Sequence, residues 1–237
     1  MKTKKRKVAM YCFGSTIACT QFPKFSYKGR PQILPRPYNS CKPGTKGYTL
    51  IRSIWMQDFL KHVEEHVIEY LSKMSKHDKN AKLTLFFVTL AKQIIPECLR
   101  LGDTFFTHMT VFGKMGKEDG ELPLHFDEKD IISSVFHLGK VFLGGNTQYY
   151  NGITAKHPGN EIHSVPFLHG NLQIGNFCDV LHGVEDWVGK RCGIQLNIKR
   201  DLLRHFIIHG TGPYDNYRLV GYKQGPKISF KHFIYRV

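Results

Sequence analysis

After Gly102 the chain breaks into short pieces. "DTFFTHMTVFGKMG", "DIISSVFHLG", "TQYYNG", "HSVPFLHGNLQIGNF" and "RCGIQLNIK" are strand-like runs rich in β-branched and aromatic residues, divided by glycine-containing turns. Many short strands with tight turns specify a sandwich or barrel rather than a parallel sheet. The preceding region has a different period. From Ser53 to about Ser75, Trp55, Phe59, Val63, Val67, Leu71 and Met74 recur at steps of three and four, the stripe of an amphipathic helix. "KLTLFFVTLAKQIIPECLR", residues 82–100, is a second apolar helix that Pro96 ends or kinks. The expected class is α+β, with N-terminal helices packed on one face of an all-β unit.

Four stretches follow: a basic, Pro/Gly-rich arm over 1–50, a helical support over 51–102, a β core over 103–204, and a C-terminal extension of the same domain over 205–237. The 237 residues suffice for a substantial core. A net charge of +15 favours an acidic partner: nucleic acid, an anionic membrane surface or an acidic polypeptide. The six cysteines form no C-x-x-C pair and are irregularly spaced, as expected of free thiols in a reducing, nuclear or cytoplasmic compartment. "MKTKKRK" followed by "VAMYCFGSTIACT" also has the outline of a secretory signal, although Gly14, Ser15 and Thr16 interrupt its apolar part. The competing reading, and the favoured one, is a basic arm for nuclear import or phosphate contact. No run of about 18 apolar residues is present to span a membrane.

Two histidine patterns call for chemistry. "HVEEH" places His62 and His66 four apart with Glu65 between them, the order of an inverted zinc-protease motif. No second glutamate motif accompanies it, and a structural pair is the expectation. "LPLHFDEKD" places His125 and Asp127 two apart, on one face of an extended segment. Downstream, "CDVLHGVEDWVGKRCGIQLNIK" carries His182 at the end of a strand-like run. Arg191 follows after Val188-Gly189-Lys190, read as a turn. Two imidazoles and one carboxylate can occupy one face of an iron(II) ion and leave three positions open. A guanidinium fork pairs with the far carboxylate of a keto acid through two charge-assisted hydrogen bonds. Arg191, Gly193, Gln195 and Asn197 alternate onto one face of the last strand and are candidate pocket walls.

This ordered set resembles the 2-oxoglutarate and iron(II)-dependent dioxygenases, from about Asp103 to Arg204. "MTVFGKMG" before "LPLHFDEKD" looks like their first core strand and metal-binding turn. "LGKVFLGGNTQYYNG" looks like their Gly-Gly-x-Thr segment, and "HGNLQIGNF" like the strand before the distal histidine. "LHGVEDWVGKRCGIQLNIK" has the order H-x-V, turn, G-x-R and final strand. The spacing of histidine and arginine is most like the prolyl-hydroxylase branch. The resemblance implies a double-stranded β-helix, a jelly-roll barrel of the cupin kind. It implies iron(II) on His125, Asp127 and His182, and 2-oxoglutarate on Arg191. The implied reaction uses dioxygen to decarboxylate 2-oxoglutarate to succinate and hydroxylates a substrate C–H bond. One departure stands out. Many relatives carry a tyrosine on the first strand to help hold 2-oxoglutarate, and here that place is Phe112, which cannot donate a hydrogen bond. Tyr149 and Asn197 are the candidates to replace it. His108, His137, His157, His163, His169, His205 and His209 are expected to be ordinary surface or core residues.

The expected substrate is a polymer. The charge and the arm "KTKKRK" favour DNA or RNA over protein. The C-terminal "YRLVGYKQGPKISFKHFIYRV" interleaves cations with aromatics, as a strand contacting phosphates and bases would, but its alternation fits a half-buried strand better. The alternatives are a prolyl or other side-chain hydroxylase, and a β-helix that binds a partner without catalysis. Turnover of 2-oxoglutarate to succinate separates the last from the others.

Overall fold

The computed structural model describes residues 9–19, 26–27, 30–31, 33–114, 120–127, 129–151, 161–178 and 180–210. The basic arm at 2–7, His157 and the C-terminal aromatic segment lie outside them. The strands are β1 (Ala9–Cys19), β2 (Ser26–Tyr27), β3 (Arg30–Pro31), β4 (Ile33–Pro37), β5 (His108–Lys114), β6 (Gly120–His125), β7 (Asp130–Gly144), β8 (Thr147–Asn151), β9 (Glu161–Val165), β10 (Leu172–Gly175) and β11 (Leu181–Lys199). The helices are α1 (Lys46–Ile51), α2 (Ile54–Met74), α3 (Lys79–Ile94) and α4 (Arg200–His209). The chain divides into two compact units, residues 1–12 with 109–197, and residues 13–108 with 198–237.

In the first unit, β11 belongs to two layers. Its first half pairs antiparallel with β6, setting His182 opposite His125. On its other edge it pairs with β8, setting His182 opposite Tyr149, and β8 pairs with β9. Its second half lies between β5 and β7 in the order β10-β7-β11-β5. Three glycines permit that closeness. A side chain at Gly113 would meet the Arg191 carbonyl oxygen, one at Gly139 the Lys190 carbonyl oxygen, and one at Gly144 the Asp186 carbonyl oxygen. Two four-stranded layers sharing one strand make a double-stranded β-helix, the jelly roll expected from the sequence.

The structure corrects the sequence reading of two turns. Val188-Gly189-Lys190 does not end a strand: β11 runs unbroken over 19 residues, and His182 stands near its start. Likewise "DIISSVFHLG" and "KVFLG" are one strand, β7. Gly189 has φ +105° and Gly139 φ +144°. A glycine at positive φ bends a strand without ending its pairing, so a punctuation signal marks a bend here rather than a boundary.

The second unit holds the helices. Residues Ser15–Cys19 of β1 pair antiparallel with Ile33–Pro37 of β4. Helix α2 matches the predicted span but not the whole predicted stripe. Met56, Leu60, Val63, Val67 and Leu71 are buried, whereas Trp55 is 61% exposed. A period of 3.6 falls between steps of three and four, so both sets fit the pattern equally well. In α3, the Asp78 side chain accepts from the Asn80 N–H at the start. The helix ends at Ile94 because the residue before Pro96 is driven out of the helical region. Helix α4, which buries Leu202, Leu203 and Phe206, was not expected. Glu64 of α2 is buried and fully engaged. It accepts from the Phe105 N–H at 2.7 Å and from Lys92 Nζ at 2.7 Å. His62 and His66 form an exposed pair, Nε2 to Nε2 3.1 Å, and no third ligating group joins them among the described residues. Among the described residues, no disulfide links Cys12, Cys41, Cys98, Cys178 and Cys192. No described helix is long and apolar enough to cross a membrane.

Candidate metal centre

Three side chains converge where β6 ends and β11 begins. His125 closes β6, Asp127 follows two residues later, and the register of β6 against β11 brings His182 opposite His125. His125 Nε2 lies 3.6 Å from Asp127 Oδ1, and His182 Nε2 lies 3.7 Å from Asp127 Oδ2. The three donor atoms are within 4.8 Å of one another, and this is the only such group of three among the described residues.

Backbone and side-chain contacts fix each donor. His125 Nδ1 is 2.8 Å from the Pro123 carbonyl oxygen, and His182 Nδ1 is 3.0 Å from that of Val180. A carbonyl can only accept, so each Nδ1 carries a hydrogen, which leaves each Nε2 as the ring atom turned inward to ligate. Burial lowers the His182 pKa, which favours the neutral, ligating form. The Asp127 N–H donates to the Phe177 carbonyl at 2.9 Å. Its Oδ2 accepts from Gln195 Nε2 at 2.7 Å, which orients the carboxylate. The Phe177 ring packs against His182, centroids 4.6 Å apart. The donor set suits a borderline divalent ion such as iron(II).

The same cavity of about 110 Å³ reaches Arg191. This residue is 2% exposed, yet none of its three guanidinium nitrogens has a hydrogen-bond partner. It is held by ring faces instead. The guanidinium carbon lies 3.9 Å from the Phe167 ring centre, 4.8 Å from that of Trp187 and 6.0 Å from that of Phe112. Cation–π contact offsets part of the lost hydration but satisfies no N–H. Burial pushes its pKa down to about 9, so it stays charged at neutral pH. A buried cation with five open donors fits a carboxylate ligand. The glycine segment serves this geometry, because a side chain at Gly145 would meet Arg191 Cδ at 3.1 Å.

The other predicted residues are placed differently. Tyr149 stands opposite His182 in the strand pairing, and its hydroxyl donates to Gln173 Oε1 at 2.8 Å. It faces a neighbouring depression with Val165 and Val180 rather than the cavity of the triad. Burial raises its pKa. Asn197 is buried, donates to Asp130 Oδ2 and does not line the cavity, whereas Gln195 does. Phe112 lines the cavity, and its ring covers Gly193, where a side chain would come within 2.3 Å of it. Sequence reasoning missed Gln173, His137, Phe167 and Trp187 as cavity and guanidinium neighbours. They stand on separate segments with no shared spacing to reveal them.

No protein-family model matches the chain, and no curated protein matches it. Among solved structures, it is similar to an oxidoreductase of the 2OG-Fe(II) oxygenase family from Burkholderia pseudomallei, at 16% identity and TM-score 0.33 over 40% of this chain and 44% of that one. It is similar to a prolyl-4-hydroxylase of Pseudomonas putida, at 18% identity and TM-score 0.30 over 39% of this chain and 48% of that one. It is also similar to NgTET1 in complex with 5mC DNA, at 13% identity and TM-score 0.42 over 83% of this chain and 62% of that one. The matched part spans less than half the length of the first two proteins. The described residues place a His-Asp-His donor set at the junction of two strands of a double-stranded β-helix, the combination of site and fold that the sequence resemblance implies.

Proposed function

We propose that this chain is an iron(II)- and 2-oxoglutarate-dependent dioxygenase acting on a polymer, with nucleic acid the favoured substrate. One observation carries the reading: a single cavity joins the His125, Asp127 and His182 donors to a buried, charged and unpartnered Arg191. A ligand that chelates a cation at one end and ends in a carboxylate at the other satisfies both halves. Iron(II), when bound, supplies the activation of dioxygen and the oxidising chemistry.

The chain's own residues do the positioning. His125 and His182 turn their Nε2 atoms inward, each held by its Nδ1 contact to a backbone carbonyl, and Asp127 adds a carboxylate steadied by Gln195. Arg191 fixes the far carboxylate and so the direction of the keto acid. Phe112, Phe177 and Val135 give the cavity an apolar wall. A water-poor wall strengthens every charge–charge contact inside it. The exposed Leu124 and Phe126, flanking His125, offer an apolar rim to a substrate. The preference for nucleic acid rests on the +15 net charge.

The test is succinate formation from 2-oxoglutarate with and without iron(II). We expect iron-dependent turnover in the native protein and none in Asp127→Ala, with Lys129→Ala behaving as native. Binding of labelled DNA and RNA across a salt series tests the substrate, and affinity that falls steeply with salt is expected. Equal turnover by Asp127→Ala would remove the proposed centre. Undetectable binding at low salt would transfer the reading to a protein hydroxylase.

A further inference from the structure

We infer that His137 is a binding residue for the far carboxylate of the dicarboxylate co-substrate, acting beside Arg191 and taking the place of the hydroxyl donor that Phe112 cannot supply. The inference rests on the proposed 2-oxoglutarate reading and concerns the opposite end of the ligand from the metal.

His137 lies in the middle of β7 and is 1% exposed. Buried imidazoles are ordinarily hydrogen-bonded, because an unpaired polar group out of water costs free energy. Neither ring nitrogen of His137 has a partner. Gln173 of β10 lies close enough to act on His137 as a hydrogen-bonding neighbour, yet no bond of good geometry forms between them, and the Gln173 amide nitrogen is unpartnered too. Both side chains line the cavity that Arg191 lines. The rings tie the arrangement together. Phe167 meets His137 edge to face, centroids 4.1 Å apart, and carries the Arg191 guanidinium 3.9 Å from its centre. One aromatic ring therefore braces both donors.

Charge decides what can fill this space. The guanidinium is the cation, and no carboxylate among the described residues pairs with it. The imidazole is held neutral, its pKa lowered to about 4 by burial and then by the charge of Arg191. A neutral imidazole still has one N–H to donate. Three donor groups from three strands, Arg191 of β11, His137 of β7 and Gln173 of β10, line one cavity, and none of them has a hydrogen-bond partner there. An acceptor-only group with two oxygens, a carboxylate, completes all three. A monocarboxylate keto acid would chelate the metal equally well and leave these donors empty.

The experiment is calorimetric binding of 2-oxoglutarate and of 2-oxobutyrate, which lacks the far carboxylate, to protein loaded with manganese(II). Replacing His137 by phenylalanine keeps the ring and removes the donor. We expect 2-oxoglutarate affinity to fall roughly ten- to hundred-fold, the loss of one hydrogen bond to a charged group. The affinities for manganese(II) and 2-oxobutyrate should not change. His137→Gln retains an N–H and should stay within several-fold of native. Should His137→Phe fail to fold, nitrogen-15 spectra of histidine-labelled native protein read the same contact. 2-Oxoglutarate should shift the His137 resonances, identified by their absence in His137→Gln, and 2-oxobutyrate should leave them in place. Native-like 2-oxoglutarate affinity in His137→Phe, or unmoved His137 resonances at saturation, would overturn the inference while leaving the dioxygenase reading intact. Native protein that binds manganese(II) but no 2-oxoglutarate would overturn both.

Discussion

Glu64 and Arg191 are both buried charges, and they are treated in opposite ways. Glu64, in the helical unit, is 6% exposed and spends one oxygen on the Phe105 N–H and the other on Lys92. Arg191, in the β-helix, is 2% exposed and has aromatic faces around it but no acceptor. A buried charge that is fully paired holds chain segments together. One that is left open is costly to the fold, and that cost makes sense only if something else completes it. The contrast separates structural polarity from functional polarity without appeal to sequence relatives.

The largest expected effect breaks the structural half. Glu64→Leu orphans the Phe105 N–H and removes the partner of Lys92, and should cost about 3 kcal/mol of stability by denaturant titration. Co-substrate affinity at a fixed folded fraction should be unaffected. Arg191→Met is the mirror image. Replacing an uncompensated buried ion by an apolar side chain is expected to leave stability unchanged or raise it by about 1–3 kcal/mol. Loss of binding of 2-oxoglutarate should accompany it. If Arg191→Met were the more destabilising of the two, the contrast would be wrong.

A smaller effect is read with pH. His108 in the helical unit and His137 in the cavity have pKa values lowered to about 3 and about 4. Burial is the first cause in both. Lys199 adds to it at His108, and Arg191 at His137. The unfolded chain binds protons at these sites near pH 6.5 and the folded chain does not. Stability is therefore full above about pH 6.5 and is lost as pH falls toward about 4 and then about 3. A tenfold difference in proton affinity between the folded and unfolded chain is worth about 1.4 kcal/mol, so the two sites together should cost a few kcal/mol on acidification from about pH 6.5 to about pH 4. His137→Phe should remove the cavity's share and leave that of His108, as seen in unfolding curves at several pH values.

What was readable in the sequence follows the same division. His125, Asp127, His182 and Arg191 could be singled out in the sequence because their spacing lies within single segments, two residues apart in one case and nine in the other. The strand-rich region was legible from its period. The bends at Gly139 and Gly189 were not, because glycine signals both a turn and a tolerated positive φ. Helix α4 was missed because Leu202, Leu203 and Phe206 follow directly on a strand with no turn residue between. The openness of Arg191 and the presence of His137 and Gln173 around its cavity depend on pairings between segments about 20 to 60 residues apart, which no local pattern encodes.

The central claim is that Arg191 waits for a carboxylate, and thermal unfolding with and without ligand tests it directly. A ligand that binds only the folded state stabilises it by about 2.7 kcal/mol at about one hundred times its dissociation constant. For a chain of this size that raises the melting temperature by roughly 5–10 °C. The native protein with manganese(II) should show this rise on addition of 2-oxoglutarate, and Arg191→Met with manganese(II) should show none. An equal rise in both proteins, or none in the native protein, would contradict the account.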